Sequence, residues 1–145
     1  MYTVDTSVWV NSSDTLEAGH GTSRALLSEL GARNLSIIVP GLLLPEVAGA
    51  ISRTRQNAML GETFALRIVA LPNLTFVQFD DAGAYAALLL AAQHRLRGAD
   101  AMYAAVALAH HCILISLDNE HLTRLSGVVT VQTPSQALAA LSTSS

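Results

Sequence analysis

Short apolar runs rich in β-branched residues recur along the chain, at YTVD (2–5), SIIVP (36–40), LTFVQF (74–79), CILIS (112–116) and VVTV (128–131). Runs of that length and make-up predict β-strands. Longer stretches between them carry helical patterning, predicted over 22–32, 42–57, 59–70, 82–96, 99–111, 119–125 and 135–141. Strands that are apolar throughout are buried on both faces, and strands separated by helices run parallel. The expected class is therefore α/β, with a central, mainly parallel five-stranded sheet in a three-layer α/β/α arrangement. No linker, repeat or low-complexity tract interrupts residues 1–141, which predicts a single domain, with STSS (142–145) as a disordered tail.

The same pattern places the acids. In a doubly wound sheet, helix N-termini gather at the carboxyl ends of the strands, the edge where ligands bind. Asp5 ends the first strand, and Asp118 follows the strand at 112–116 by two residues. Glu46 lies in the first turns of the helix at 42–57, and Asp100 opens the helix at 99–111. These four acids are expected to converge although they are distant in sequence. Each alone has a plainer explanation. Asp100 and Asp118 suit helix N-caps, Asp5 suits the cap of a short helix beginning at Ser7, and Glu46 after Pro45 suits the positive end of its helix. Asp80 and Asp81 also follow a strand and precede a helix, and they are read as caps without chemistry.

Taken jointly, four carboxylates on one edge repel each other unless a cation sits among them. Oxygen-only ligands suit Mg²⁺ or Mn²⁺. Zinc is disfavoured, because His20, His94, His110, His111 and His121 form no metal pattern. His110 and His111 are expected to end a helix, where an imidazole meets the negative end of the dipole.

Composition narrows the class further. Hydrophobic residues make up 51% and charged residues 13%, with a mean hydropathy of +0.42. That excludes disorder and predicts a packed core with some apolar surface left for a partner. The most apolar stretch, AGAYAALLLAA (82–92), is too short for a membrane span and runs into Gln93, His94 and Arg95. The opening MYTVDTSVWV has no basic region and carries Asp5 early, so no signal peptide is expected. Cys112 is the only cysteine, which excludes an internal disulfide and suits a reducing cytoplasm. All eight basic residues are arginines, against eleven acids. Without a lysine, the phosphoryl-steadying residue of phospho-accepting receiver domains and haloacid-dehalogenase-like phosphatases is missing, and no phosphate loop ending in Lys exists. No Gly-x-Ser-x-Gly elbow is present either.

Four segments resemble a known family: YTVDTSVWV, LLLPEVAGAISR around Glu46, HRLRGADAMYAAVALAHHC around Asp100, and LISLDNEHL around Asp118. In order and spacing they are similar to the PIN-domain nucleases, most of all the VapC-type toxin ribonucleases of bacterial and archaeal toxin–antitoxin pairs. The resemblance spans about residues 2–141. It implies a PIN fold, with Asp5, Glu46, Asp100 and Asp118 as the acidic metal-binding quartet. Ser7 matches a small hydroxyl residue that supports the first acid. Ser116 stands where Thr is commoner, two residues before the last acid. Asn119 and Glu120 fall where some members carry further polar or acidic groups.

The implied activity is Mg²⁺- or Mn²⁺-dependent endoribonuclease cleavage, with Asp5 and Asp118 as central ligands, Asp100 shared, and Glu46 holding a second ion or orienting water. No histidine pair is placed for attack by the ribose 2′-hydroxyl, so 5′-phosphate and 3′-hydroxyl ends are expected. With the quartet neutralised by metal, seven acids remain against eight arginines. Arg95 and Arg97, just before Asp100, and Arg53 and Arg55, on the helix after Glu46, are candidate RNA phosphate contacts, with ordinary solvated charges as the rival reading. The family further implies a homodimer and a cognate antitoxin whose inserted segment approaches the acids. Trp9 is read as core. Alternatives from the same residues are a housekeeping RNA-processing nuclease and a catalytically silent RNA-binding module.

Overall fold

The computed structural model describes residues 1–143. Its strands are β1 (Tyr2–Val4), β2 (Ile37–Pro40), β3 (Leu74–Val77), β4 (Ile113–Ile115) and β5 (Val131–Gln132). They form one sheet in the order β3-β2-β1-β4-β5, with every neighbouring pair parallel. The helices are α1 (Thr6–Ser13), α2 (His20–Ala32), α3 (Leu43–Arg55), α4 (Ala58–Val69), α5 (Asp81–His94), α6 (Gly98–Ala109), α7 (Asn119–Arg124) and α8 (Pro134–Thr143).

Successive strand residues point to opposite faces. Thr3 and Val4 in β1, and Leu114 and Ile115 in β4, are all fully buried, so helices cover both faces of the sheet centre. This is the three-layer α/β arrangement that the strand composition predicts. Helix α6 packs against β1, β2 and β4. Its small residues Ala101, Ala104, Ala105 and Ala107 are buried and let the backbone lie close to the strands. Helix α3 buries Leu43, Val47 and Ile51, a spacing of four that keeps one stripe inward. Trp9 is buried as expected, and its ring nitrogen donates to the Val4 carbonyl across 3.2 Å. Among the described residues no helix is long and apolar enough to cross a membrane.

The order of the strands fixes where a site can form. The chain lays β2 and β3 on one side of β1, then crosses to place β4 on the other. The switch point therefore lies at the carboxyl ends of β1 and β4, the usual crevice for ligands in open α/β sheets. Asp5 follows β1 directly, and Ser116 and Asp118 follow β4.

Two expectations shift. The last strand is not 128–131 but Val131–Gln132. Gly127 adopts φ +80, and the amides of Val128 and Val129 both turn back to the Leu125 carbonyl, so those valines are used in a turn rather than in the ladder. Ser142 and Thr143, expected in a tail, instead close α8, while residues 144–145 lie outside the described residues.

Candidate functional site

Asp5 sits where the β-ladder ends. Its amide donates to the Ile115 carbonyl of β4 across 2.9 Å, which pins it beside the end of that strand. Its side chain caps α1: Oδ2 accepts from the Ser7 amide at 3.1 Å and from Ser7 Oγ at 2.5 Å. Ser7 Oγ in turn accepts the Leu117 amide at 3.1 Å, tying the exits of β1 and β4 together. Asp118 likewise caps α7, with Oδ1 accepting the Glu120 amide at 2.8 Å. For both residues the capping reading holds, and it engages only one carboxylate oxygen of each.

Asp100 is different. The N-cap of α6 is Arg97, and Asp100 is the third residue of the helix, inside its first turn. Among the described residues no amide engages its carboxylate. The side chain is buried beside Asp5 and is met by Arg97 instead, with Nε donating to Oδ2 across 2.8 Å. A lone acid opening an otherwise apolar helix is thus placed for charge contacts rather than for capping.

Glu46 reaches the same place from α3. Thr6 Oγ1 donates to its Oε2 at 2.7 Å, and Tyr103 Oη lies 2.9 Å from the same oxygen. The two hydroxyl oxygens are themselves 2.6 Å apart. Two hydroxyl protons serve these three contacts, so the hydroxyls act as one unit holding a single carboxylate oxygen. Burial, together with the neighbouring charges of Glu46 and Asp5, pushes the Tyr103 phenol well above its ordinary pKa. It is a neutral hydrogen-bond donor at any physiological pH.

Asp5, Glu46, Asp100 and Asp118 line one cavity of about 250 Å³ together with Thr6, Ser7, Arg97 and Ala99. The structure therefore brings the whole predicted quartet together. Asp5, Asp100 and His121 offer atoms within 4.8 Å of one another, a spacing that suits a shared cation. Of the five histidines, His121 is the one that stands beside these acids. It is fully buried, with Nδ1 2.9 Å from Ser116 Oγ and Nε2 3.1 Å from the Asp100 carbonyl. A carbonyl only accepts, so Nε2 carries a proton and has no lone pair for a metal. The donor set left is all oxygen, which fits a hard divalent ion such as Mg²⁺ or Mn²⁺.

The supporting residues divide. Ser116 is buried at the exit of β4; its Oγ accepts the Asp118 amide at 3.0 Å and lies 3.2 Å from Asp5 Oδ2. Glu120 turns away to an ion pair with Arg124 at 3.2 Å, and Asn119 is exposed, its carbonyl taken by Thr123. Of the four arginines, only Arg97 enters the cavity. Arg55 pairs with Asp14 at 3.0 Å. Arg53 and Arg55 lie in the last turn of α3, roughly 10–14 Å along the axis from Glu46 at 1.5 Å per residue. Arg95 ends α5 in a left-handed conformation, its carbonyl taken by the Arg124 guanidinium. Arg97 joins both acids, with Nη2 2.5 Å from Asp118 Oδ2. The hydrogen bond it donates to Asp100 and the charges of Asp100 and Asp118 raise its pKa above the ordinary arginine value.

Sequence reasoning missed Thr6, Tyr103 and His121. A signal was available: Tyr103 follows Asp100 by three and His121 follows Asp118 by three, the spacing that shares a helix face.

The family profile described as PIN domain matches residues 2–128. Solved structures with the same fold include VapC20 of Mycobacterium tuberculosis, described as a sarcin-ricin loop cleaving toxin. It is 16% identical with a TM-score of 0.73, covering 90% of this chain and 97% of that one. PAE2754 of Pyrobaculum aerophilum is 16% identical with a TM-score of 0.72, covering 98% and 89%. FitAcB of Neisseria gonorrhoeae is 18% identical with a TM-score of 0.71, covering 92% and 98%. No curated protein sequence matches the chain.

Proposed function

The chain belongs to the PIN domain family, and on that premise we propose that it is a Mg²⁺- or Mn²⁺-dependent endoribonuclease, the toxin of a toxin–antitoxin pair. The observation that carries the reading is the convergence of Asp5, Glu46, Asp100 and Asp118 in one small cavity at the strand switch point. A bound divalent ion supplies there a water of lowered pKa and a positive charge for the phosphate oxygens. Asp5 and Asp100 would hold the ion through the oxygens their hydrogen bonds leave free, and Asp118 would complete the acidic rim. Glu46, fixed by Thr6 and Tyr103, presents its other oxygen to orient the attacking water. No two histidines face each other across the cavity, which favours hydrolysis to 5′-phosphate and 3′-hydroxyl ends over a cyclic phosphate.

The toxin assignment draws on the fold neighbours, which include a toxin–antitoxin complex of Klebsiella pneumoniae and VapBC2 of Rickettsia felis bound to promoter DNA. By that analogy the partners are an RNA substrate, a cognate antitoxin and a second copy of the chain, all in the cytoplasm. Exposed Met59, Leu66 and Val69 on α4 and Tyr85 and Leu88 on α5 supply apolar surface for such contacts.

The test is incubation of the purified protein with total RNA and Mg²⁺ or Mn²⁺, with and without chelator, followed by mapping of the new ends. Cleavage that needs the metal, leaves 5′-phosphates and falls at least about a hundredfold in Asp100→Asn supports the reading. Cleavage that survives chelation, or ends in 2′,3′-cyclic phosphate, overturns it. Binding of RNA without any cleavage identifies a silent module instead.

A further inference from the structure

Asp100 uses its two carboxylate oxygens in two directions. Oδ1 lies 3.9 Å from His121 Nε2, and Asp100, His121 and Asp5 each offer an atom within 4.8 Å of the others. Oδ2 accepts from Arg97 Nε at 2.8 Å. Asp118 is arranged the same way: Oδ1 is held by its own helix amide, and Oδ2 takes Arg97 Nη2 at 2.5 Å. The acidic cavity thus has an inner half, bounded by Asp5 and Asp100 Oδ1, and an outer half between the Oδ2 atoms of Asp100 and Asp118. A planar guanidinium already spans the outer half.

We propose that Arg97 fills the outer cation position from within the chain, so that this site takes one divalent ion, in the inner half, and the guanidinium replaces a second. The inference rests on the metal-nuclease reading of the same site. Charge is compatible with it: four carboxylates, one guanidinium and one divalent ion sum to −1, and a second divalent ion would turn the cluster positive, to +1. A second divalent ion between Asp100 and Asp118 would meet a fixed positive charge on the very oxygens it needs. Placement supports it. Arg97 is the N-cap residue of α6, one turn before Asp100, so the helix that delivers the acid also delivers its counter-charge. Two of its five N–H groups are spent on the acids, and its side chain is 67% exposed. That leaves donors accessible for a substrate phosphate, a role a second metal ion would otherwise have.

The experiment is Mn²⁺ titration by calorimetry and by electron paramagnetic resonance of the free ion, on the wild type, Arg97→Ala, Arg97→Gln and Arg97→Lys, with RNA cleavage measured in parallel. The wild type is expected to bind one Mn²⁺ per chain. Arg97→Ala and Arg97→Gln, which empty the outer half, are expected to bind two, while Arg97→Lys keeps one. Because the side chain is mostly exposed, circular dichroism is expected to show all variants folded, and either neutral variant alone suffices for the comparison. A wild type that binds two ions, or neutral variants that bind one like the wild type, overturn the inference while metal-dependent cleavage still stands. A wild type that binds no Mn²⁺ and cuts no RNA overturns both.

Discussion

Tyr103 on α6 and Glu46 on α3 meet through a hydroxyl and a carboxylate oxygen 2.9 Å apart, across 57 residues of sequence. With Thr6 Oγ1 as the third member, the contact fixes the one acid of the quartet that neither caps a helix nor meets an arginine. Tyr103→Phe keeps the ring in the core and deletes only the hydroxyl. Removing a partner that orients an acidic ligand typically lowers metal affinity or activity 10–100-fold, and that range is expected here. Single-turnover RNA cleavage measures it. Wild-type rates in Tyr103→Phe would mean that Glu46 needs no such support.

The same phenol predicts an alkaline limit to stability. In the unfolded chain it ionises near its ordinary pKa of about 10, whereas burial keeps it protonated in the fold. Above about pH 10 the unfolded state therefore binds fewer protons than the native state, and stability falls as pH rises. The slope from this one group approaches about 1.4 kcal/mol per pH unit, and the contribution is complete below pH 10. Urea unfolding between pH 8 and 11 is expected to show a steeper alkaline decline for the wild type than for Tyr103→Phe. Parallel curves would contradict it.

Much of this site was legible in the sequence because strand–helix alternation dictates where strand ends and helix starts gather. Asp5, Asp118, Glu46 and Asp100 each occupy such a position, and topology does the rest. What stayed hidden depends on side-chain direction. The positions of Arg53 and Arg55 near the end of the 42–57 helix were readable, but not that Asp14 takes Arg55. Thr6 reads as a helix residue after a cap and His121 as one more histidine on a short helix. Only the packing of α1, α6 and α7 around the strand ends gives them partners. The valines at 128–129 had strand-like composition, but the turn at Gly127 outweighed it.

His121 is expected to be a positioning residue. It links the Asp100 carbonyl to Ser116 Oγ, and so fixes the first turn of α6 against the exit of β4. His121→Leu has similar bulk but removes both contacts; Ser116 Oγ keeps its Asp118 and Asp5 partners, so the total cost is about 1–3 kcal/mol. Chemical denaturation is expected to register a loss in that range, with a several-fold weaker Mn²⁺ affinity in the protein that remains folded. Side-chain ¹⁵N spectra of the wild type are expected to show a proton on Nε2. A ring protonated only at Nδ1 would refute the assignment.

Asp80 and Asp118 separate capping from chemistry within one molecule. Both accept an amide of the helix they precede, Asp80 from Gly83 at 2.8 Å and Asp118 from Glu120 at 2.8 Å. As caps they are equivalent, and each replacement by Ala is expected to cost about 1 kcal/mol of stability. They differ in what the second oxygen meets: Asp118 Oδ2 holds Arg97 in the acidic cavity, while Asp80 lies outside that cavity. Asp80→Ala is therefore expected to leave metal-dependent cleavage within twofold of wild type, roughly the spread of a surface change. Asp118→Ala, at a similar loss of stability, is expected to lower cleavage about a hundredfold or more and to free the Arg97 guanidinium. Asn at position 118 sharpens the comparison. Its side-chain oxygen still caps α7, so Asp118→Asn is expected to recover the stability but not the cleavage. Equal losses of activity in Asp80→Ala and Asp118→Ala would reduce the acidic edge to a row of helix caps.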